Sequence, residues 1–193
     1  VTFSPRYSLY QSRIKIPNDP KTGLYNDCTI PVKGYTPGTP GANPIDETHN
    51  CLTNGEASLA LKEAAGTTLT SLVGYTLSYN GLDNVKSPTS GIYAELRQDI
   101  AGVGGDSKFI RTTGDARAYR ELFDSVVGIA RLQGGHVKAF GNYDLRIVDN
   151  FNLGPSLVRG FAPGGIGPRD VSKGINSQGN ALGGTKYVGG SLE

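Results

Sequence analysis

The stretch of sequence that says most about the fold is Val158-Arg-Gly-Phe-Ala-Pro-Gly-Gly-Ile-Gly-Pro-Arg-Asp170. So many glycines and prolines do not suit the interior of a helix or strand, because proline lacks an amide donor and glycine loses conformational restraint. The stretch is therefore predicted to be a shaped loop, and it carries two arginines and an aspartate. The segments on either side of it decide what kind of fold holds such a loop.

Those flanking segments have the composition and spacing of antiparallel strands. Candidate strands cover residues 5–16, 67–80, 92–101, 108–121, 126–136 and 184–193, with turns over 83–91 and 123–125 and a tight connection over 102–106. Thr53 and Glu56 have capping-box spacing and Gly66 follows, which predicts one short helix over 57–65. Strands of about 10 to 14 residues without a layer of helices are typical of transmembrane barrels.

Alternation within residues 108–121 predicts two different faces. The odd positions include Arg111, Asp115 and Arg117, whereas the even positions are mostly small or apolar. A cationic side chain that faces lipid at the bilayer midplane costs about 2–4 kcal/mol, so the odd face is predicted to line a lumen. The alternative is the solvated face of a soluble sheet, which this strand alone does not exclude. Composition, with 28 glycines and 10 tyrosines, also fits both classes.

Charge and hydropathy exclude other classes. No apolar run reaches the roughly 18 to 20 residues of a spanning helix. The net charge of +2 argues against a nucleic-acid surface. Cys28 and Cys51 flank part of a proline-rich stretch, which suggests a disulfide in an oxidising compartment. A metal site that adds His49 to the two cysteines is the alternative, but it offers only three ligands at an unfamiliar spacing.

No motif indicates catalysis. The segment 179–186 has glycines, a threonine and a lysine, but the last two are in the wrong order for a phosphate-binding loop. No Gly-x-Ser-x-Gly elbow is present. The sequence therefore predicts no enzyme activity, no cofactor and no metal.

The loop and its flanks resemble the BamA family of outer-membrane assembly factors, in the form usual among alphaproteobacterial members. The resemblance extends from about residue 67 to the last residue. Its motifs are Leu82-Asp-Asn, Pro88-Thr-Ser-Gly, Ala101-Gly-Val-Gly-Gly-Asp, Asp149-Asn-Phe-Asn-Leu-Gly, Val158-Arg-Gly-Phe, Gly165-Ile-Gly-Pro-Arg-Asp, Ala181-Leu-Gly-Gly-Thr-Lys-Tyr and Ser191-Leu-Glu. One departure is Pro155, where the family often has glycine.

The resemblance implies an all-β fold: part of a transmembrane antiparallel β-barrel, with about six strands and a long loop inserted into the lumen. Residues 1–193 would be a partial outer-membrane β-barrel domain of the bacterial surface antigen type, and the family's periplasmic domains would be absent from this chain. The six strands would be the seventh to the twelfth of sixteen.

The resemblance also implies the site. The signature of the lumen loop is Val158, Arg159, Gly160 and Phe161. Arg159, partly removed from water, would pair with Glu193 on the inner wall of the next strand. Gly160 would turn the backbone where a side chain does not fit, and Phe161 would be an apolar anchor. A secondary loop contains Gly167, Pro168, Arg169 and Asp170; Arg169 and Asp170 form either a second lumen pair or a solvated loop pair.

The family's role implies that the whole protein folds and inserts other barrel proteins into the cell outer membrane without a cofactor. The implied partners are unfolded outer-membrane proteins, accessory lipoproteins of the assembly complex and outer-membrane lipid, but not nucleic acid. A passive outer-membrane channel or a secretion transporter of the same superfamily is the main alternative. A secreted, ligand-binding β-sandwich is the other.

Overall fold

The computed structural model describes residues 1–15, 59–170 and 179–193. Six strands form one sheet in sequence order, and neighbouring strands from the second to the sixth are antiparallel. The strands are β1 (Thr2–Ile14), β2 (Gly66–Asn80), β3 (Gly91–Gly105), β4 (Phe109–Phe123), β5 (Val126–Ala139) and β6 (Lys186–Leu192). A short helix, α1, covers Leu59–Glu63, and a 3-10 turn, η1, covers Ile147–Asp149. The predicted antiparallel sheet is confirmed.

The chain forms two compact units. The first comprises Val1–Ser12, Thr68–Gly167 and Gly183–Glu193 and holds most of the sheet; the second comprises Arg13–Thr67 and Pro168–Leu182. Helix α1 belongs to the second unit and lies within the predicted 57–65 range. Cys28, Cys51, His49, Thr53 and Glu56 lie outside the described residues, so the disulfide and the rival metal site stay predictions.

The tight connection predicted over 102–106 is wrong, because β3 continues to Gly105. Gly105 has a positive φ of 101° and pairs with Thr70 beyond a bulge in β2. The amide of Asp106 donates to Leu69 O at 2.8 Å, and the amide of Leu69 donates to the Asp106 carboxylate at 2.8 Å. Glycine permits this conformation, so the ladder runs past the point where the composition suggested a turn.

Pairing register gives the sheet an inward face that the loop segment after β5 covers. Asp99 pairs with Arg111, and Arg111 pairs with Val137, so these three residues share that face. Its apolar core consists of Leu72, Ala101, Phe109 and Val137, with Tyr143, Leu145 and Phe151 from the loop packed against it. Phe109 is only 1% exposed. An aromatic residue therefore stands among the polar odd positions of β4 because it forms the floor beneath the loop.

The opposite, outward face of the sheet is apolar and uncovered within the described residues. Its large exposed side chains include Val73, Leu77, Ile92, Leu96, Ile100, Ile110, Leu132, Val188 and Leu192. Val188, for example, is 76% exposed. So extensive an apolar surface is not stable in water and is typical of the lipid-facing side of membrane strands. Among the described residues, no helix has the length and apolar character needed to cross a membrane.

The turn between β2 and β3 is organised by Asp83. Its carboxylate accepts hydrogen bonds from the Thr89 hydroxyl at 2.6 Å, the Thr89 amide at 3.0 Å and the Ser90 amide at 3.1 Å. These bonds, the Thr89 hydroxyl first, lower the pKa of Asp83 from 3.8 to about 2.

We expect this turn to lose stability as pH falls. Because the folded pKa lies below the unfolded one, the contribution of Asp83 is complete above about pH 4 and disappears as pH falls through about 2. Urea unfolding of the wild type and of Asp83→Asn should therefore give different stabilities at neutral pH and converging ones near pH 2. Parallel pH curves would contradict this account.

Candidate functional site on the inward face

Ion pairs cross the inward face from strand to strand. Asp99 contacts Arg6 and also Arg97, whose Nε lies 3.2 Å from Asp99 Oδ2. Asp115 accepts from Arg117 Nε at 2.9 Å and from Arg131 Nε at 2.9 Å. Arg117 and Arg131 are direct cross-strand partners, and like charges in such a pair repel. The carboxylate between them offsets that repulsion, so the face is charged but internally compensated.

The loop after β5 is held on this face by a polar cluster, the loop anchor, which consists of Arg111, Tyr143, Arg146 and Asp149. The buried Asp149 carboxylate accepts from the Tyr143 hydroxyl at 2.6 Å and from the Arg146 amide at 3.1 Å. Its Oδ2 also lies 3.5 Å from Arg146 Nε, and Arg111 Nη2 donates to the Asp149 carbonyl at 2.6 Å. Burial, followed by the hydrogen bond to Asp149, raises the pKa of Tyr143.

Aromatic contacts continue the loop anchor toward β6. The guanidinium of Arg111 lies 5.1 Å from the ring centre of Phe109 and 5.6 Å from that of Phe151, within cation–π range. Phe151 also packs edge-on against Tyr187, with ring centres 4.8 Å apart. A side chain at Gly135 would meet both rings, since its Cβ would lie 2.8 Å from Phe151 Cζ. Glycine at 135 is therefore what lets the loop lie close to β5.

Backbone pairing fixes the base of the signature loop. Phe151 and Gly184 exchange two backbone hydrogen bonds, at 2.9 and 3.0 Å, and Leu153 forms a bridge with Ile166. Leu157 packs over Gly189 of β6, where a Cβ would lie 3.0 Å from Leu157 Cγ. These contacts fix the position of the loop's base, from which the tip extends.

The structure gives the backbone conformation and the exposure of the residues at the tip. Gly160 has a φ of 93°, which favours glycine, but no atom lies within 4 Å of a Cβ added there. The reason for glycine is thus conformation rather than lack of space. Phe161 is 48% exposed and Val158 is also exposed. Leu157 supplies the apolar contact with β6 within this chain, and the role of Phe161 as an apolar anchor stays a prediction.

Arg159 and Glu193 are in contact. Arg159 Nη2 lies 3.1 Å from Glu193 Oε2. Two backbone hydrogen bonds between Glu193 and Ile129, at 2.8 and 2.9 Å, extend the β5–β6 ladder and give Glu193 the inward parity of Tyr187. Within this chain the side chain of Arg159 is 86% exposed and that of Glu193 is 48% exposed, and the partial removal of Arg159 from water in the lumen of the whole barrel stays a prediction. Such an exposed pair contributes about 0–1 kcal/mol to stability.

The secondary loop is tied to the backbone of the segment that follows it. Arg169 Nη1 donates to Gly179 O at 3.1 Å, and Arg169 also bridges to Ala181. The amide of Asp170 donates to Asn180 O at 3.0 Å, and Pro168 O accepts from Leu182 at 2.9 Å. Gly167, just before this segment, has a φ of 116°. Both hypotheses for Arg169 and Asp170, a lumen pair or a solvated loop pair, stay predictions.

The sequence pattern did not reveal Tyr143 and Arg146 as functional candidates. Their signal is the spacing Tyr143-x-x-Arg146-x-x-Asp149, which places three hydrogen-bonding groups around one 3-10 turn. Such a spacing does not predict a site by itself, because the three groups come together only if the segment forms the 3-10 turn. Arg111 and Asp149 were noticed, but only as a polar-face residue and as part of a motif.

Comparison with known proteins agrees with this architecture. Residues 6–193 match the family model described as the Omp85 superfamily domain. The chain is 34% identical over 140 residues to the outer membrane protein assembly factor BamA of Neorickettsia risticii, covering 72% of this chain and 18% of that protein. It is 32% identical over 139 residues to the human sorting and assembly machinery component 50 homolog, covering 70% of this chain and 28% of that protein.

A solved structure shows the same arrangement of strands. The crystal structure of BamA from Haemophilus ducreyi lacking POTRA domains 1–3 matches with a TM-score of 0.55 and 25% identity, over 65% of this chain and 25% of that one. The chain thus spans between about a fifth and about a quarter of the relatives it matches. The outer-membrane location and the barrel predicted from the sequence are confirmed. The chain belongs to the Omp85 superfamily, as part of a transmembrane antiparallel β-barrel of the outer membrane.

Proposed function

We propose that the protein containing this chain folds other β-barrel proteins and inserts them into the outer membrane. The observation that carries the proposal is the similarity to proteins named as assembly factors, which extends over about 140 residues of this chain. A passive channel or a secretion transporter of the same superfamily is less well supported, because the relatives given above are named for assembly. Residues 1–193 are proposed to form part of the barrel domain.

The proposed partners are unfolded outer-membrane proteins, accessory lipoproteins of the assembly complex and outer-membrane lipid. No bond-making step is assigned to the inward face, where Asp99 and Asp115 are paired with arginines and Asp149 belongs to the loop anchor. The driving force in this proposal is burial of the substrate's apolar surface and pairing of its strands, since an open strand edge offers free donors and acceptors. The proposed protein uses no cofactor and has no enzymatic activity.

The proposed role of the signature loop follows from its two-part construction. Its base is fixed by the loop anchor and by backbone bridges, whereas its tip is joined to β6 by one exposed ion pair. An exposed pair opens at little cost, so Arg159 and Glu193 can act as a releasable contact between the loop and the wall. In this proposal, the pair sets the position of the tip during assembly, and it contributes little to the stability of the fold.

Charge exchange in the full-length protein tests this role. Arg159→Glu places two carboxylates together and is expected to expose the loop to protease and to lower outer-membrane protein levels in cells that depend on the variant. The double variant Arg159→Glu with Glu193→Arg restores opposite charges and should recover both readouts. Arg120→Glu, at an outward position on β4, is the single-charge control. Wild-type behaviour of Arg159→Glu in both assays would contradict the role.

A further inference from the structure

The outward face of the sheet carries charge of only one sign. Positions of β3 to β6 that share this face include the cations Arg120, Lys138 and Lys186, and the imidazole of His136, but no aspartate or glutamate. The inward face of the same strands mixes both signs, as the Asp115 cluster shows. A lipid-facing surface has no reason to retain uncompensated cations unless they meet an anionic group at the membrane boundary.

Three of these residues lie together at one end of the strands. His136 pairs directly with Lys186 across β5 and β6, and Lys138 is the next residue of β5 on the same face. All three side chains are exposed, and none has an ion pair or hydrogen bond to another described residue. We name these three residues the cationic cluster. Its positive charge is therefore available to a ligand outside the protein.

A polar row leads across the sheet to the cationic cluster. The Tyr75 hydroxyl donates to Gln98 Oε1 at 3.1 Å, and Gln98 Nε2 donates to Thr112 Oγ1 at 3.1 Å. Thr112 is the cross-strand partner of His136. Polar groups linked in this way across a lipid-facing surface mark a depth at which headgroups, rather than acyl chains, meet the protein.

An apolar cavity begins directly beside this row. Gly114, Gly134 and Val188 are the next outward positions, about 7 Å further along their strands. They help to line a cavity of about 430 Å³, together with Leu77, Leu96 and Leu132. The glycines leave its floor without side chains, and the large apolar residues form its sides.

We propose that the cationic cluster binds the phosphate of an anionic lipid whose acyl chain lies in this cavity. Lysine ammonium groups and an imidazole N–H supply the donors that a phosphate accepts. A free phosphate would use the same donors but would leave the adjoining apolar cavity unused, so the ligand is a lipid. The proposal rests on the membrane location of the strands and not on the assembly role.

The test uses the full-length protein in detergent and measures lipid retention by native mass spectrometry. Added phosphatidylglycerol should be retained in preference to phosphatidylcholine. The double variant Lys138→Gln with Lys186→Gln should weaken that retention by about fivefold for each lysine removed. Lys138→Arg with Lys186→Arg keeps both charges and should retain the lipid. Arg120→Gln, which removes an outward cation at the other end of β4, should have no effect.

Each of the other outcomes counts against the proposal. Equal retention of the two lipids by the wild type would contradict a preference for an anionic lipid. An unchanged affinity in the double glutamine variant would show that the cationic cluster does not bind the lipid. Displacement of phosphatidylglycerol by inorganic phosphate alone would identify a free-anion site and overturn the lipid assignment. Loss of binding in the arginine variant or in Arg120→Gln would show that the effect is not specific to charge at this position.

Discussion

Replacing Asp149 with alanine is expected to destabilise the protein by about 3 kcal/mol and to release the loop from the inward face. The buried carboxylate accepts from Tyr143 and Arg146, and its removal leaves a phenol and a half-buried guanidinium without their acceptor. The measurement is urea unfolding of the full-length protein in lipid vesicles, together with the rate at which protease cleaves the loop.

Two further variants test whether the effect of Asp149→Ala comes from loss of the buried carboxylate. Asp149→Asn keeps one acceptor oxygen and should lose less stability than Asp149→Ala. Asp144→Ala removes an exposed carboxylate from the same segment and should change stability by less than about 0.5 kcal/mol. If Asp149→Ala matched the Asp144→Ala control in both stability and protease access, the loop anchor would not hold the loop.

Replacing Phe109 with alanine is expected to cost about 3–5 kcal/mol. Phe109 is fully buried beneath the loop and also lies against the guanidinium of Arg111, so its loss opens a cavity and removes a cation–π contact. We expect a lower urea midpoint and faster cleavage of the loop, because Phe109 contacts Arg111, which belongs to the loop anchor.

The matched control for this change is Phe123→Ala. Phe123 is an aromatic residue at the far end of the same strand, and it is 74% exposed. Its removal should change the urea midpoint little. Equal destabilisation by the two substitutions would contradict the conclusion that the loop packs on Phe109.

The strands could be predicted from the sequence because their period of two residues is local. Polar odd positions around Asp115 placed one face correctly, and the same parity placed Glu193 inward. Phe109 broke the pattern because its environment is set by the loop, which lies about 40 residues further along the chain. Pattern alone carries no information about such a contact.

Backbone geometry and exposure were harder to predict than parity. The glycines within 102–105 led us to predict a turn. Instead, their positive φ angles allow β3 to continue and to pair with β2 beyond a bulge. Family resemblance places Arg159 in a lumen, partly removed from water, and this stays a prediction because the chain spans only between about a fifth and about a quarter of its relatives. Its exposure depends on the surfaces that surround it in space, which its own neighbours in sequence do not specify. The contact with Glu193, in contrast, was implied by the family resemblance, and strand parity adds only that Glu193 points inward.

The inward and outward faces of the sheet therefore have different proposed roles. On the inward face, Asp99 and Asp115 are paired with arginines and the loop anchor holds the loop, whereas the tip, at Arg159 and Glu193, is proposed to be readily released. Charges on the outward face are left uncompensated, and they are proposed to meet lipid. Changes to one face should consequently leave the readout of the other face intact.

The proposed assembly function can be measured by reconstituting the full-length protein in lipid vesicles and following how fast an unfolded outer-membrane barrel protein folds into them. We expect faster folding than in empty vesicles, slower folding with Arg159→Glu and recovery in the variant that exchanges Arg159 and Glu193. Folding at the rate of empty vesicles, combined with leakage of small solutes through the wild type, would contradict the assembly function and favour a passive channel.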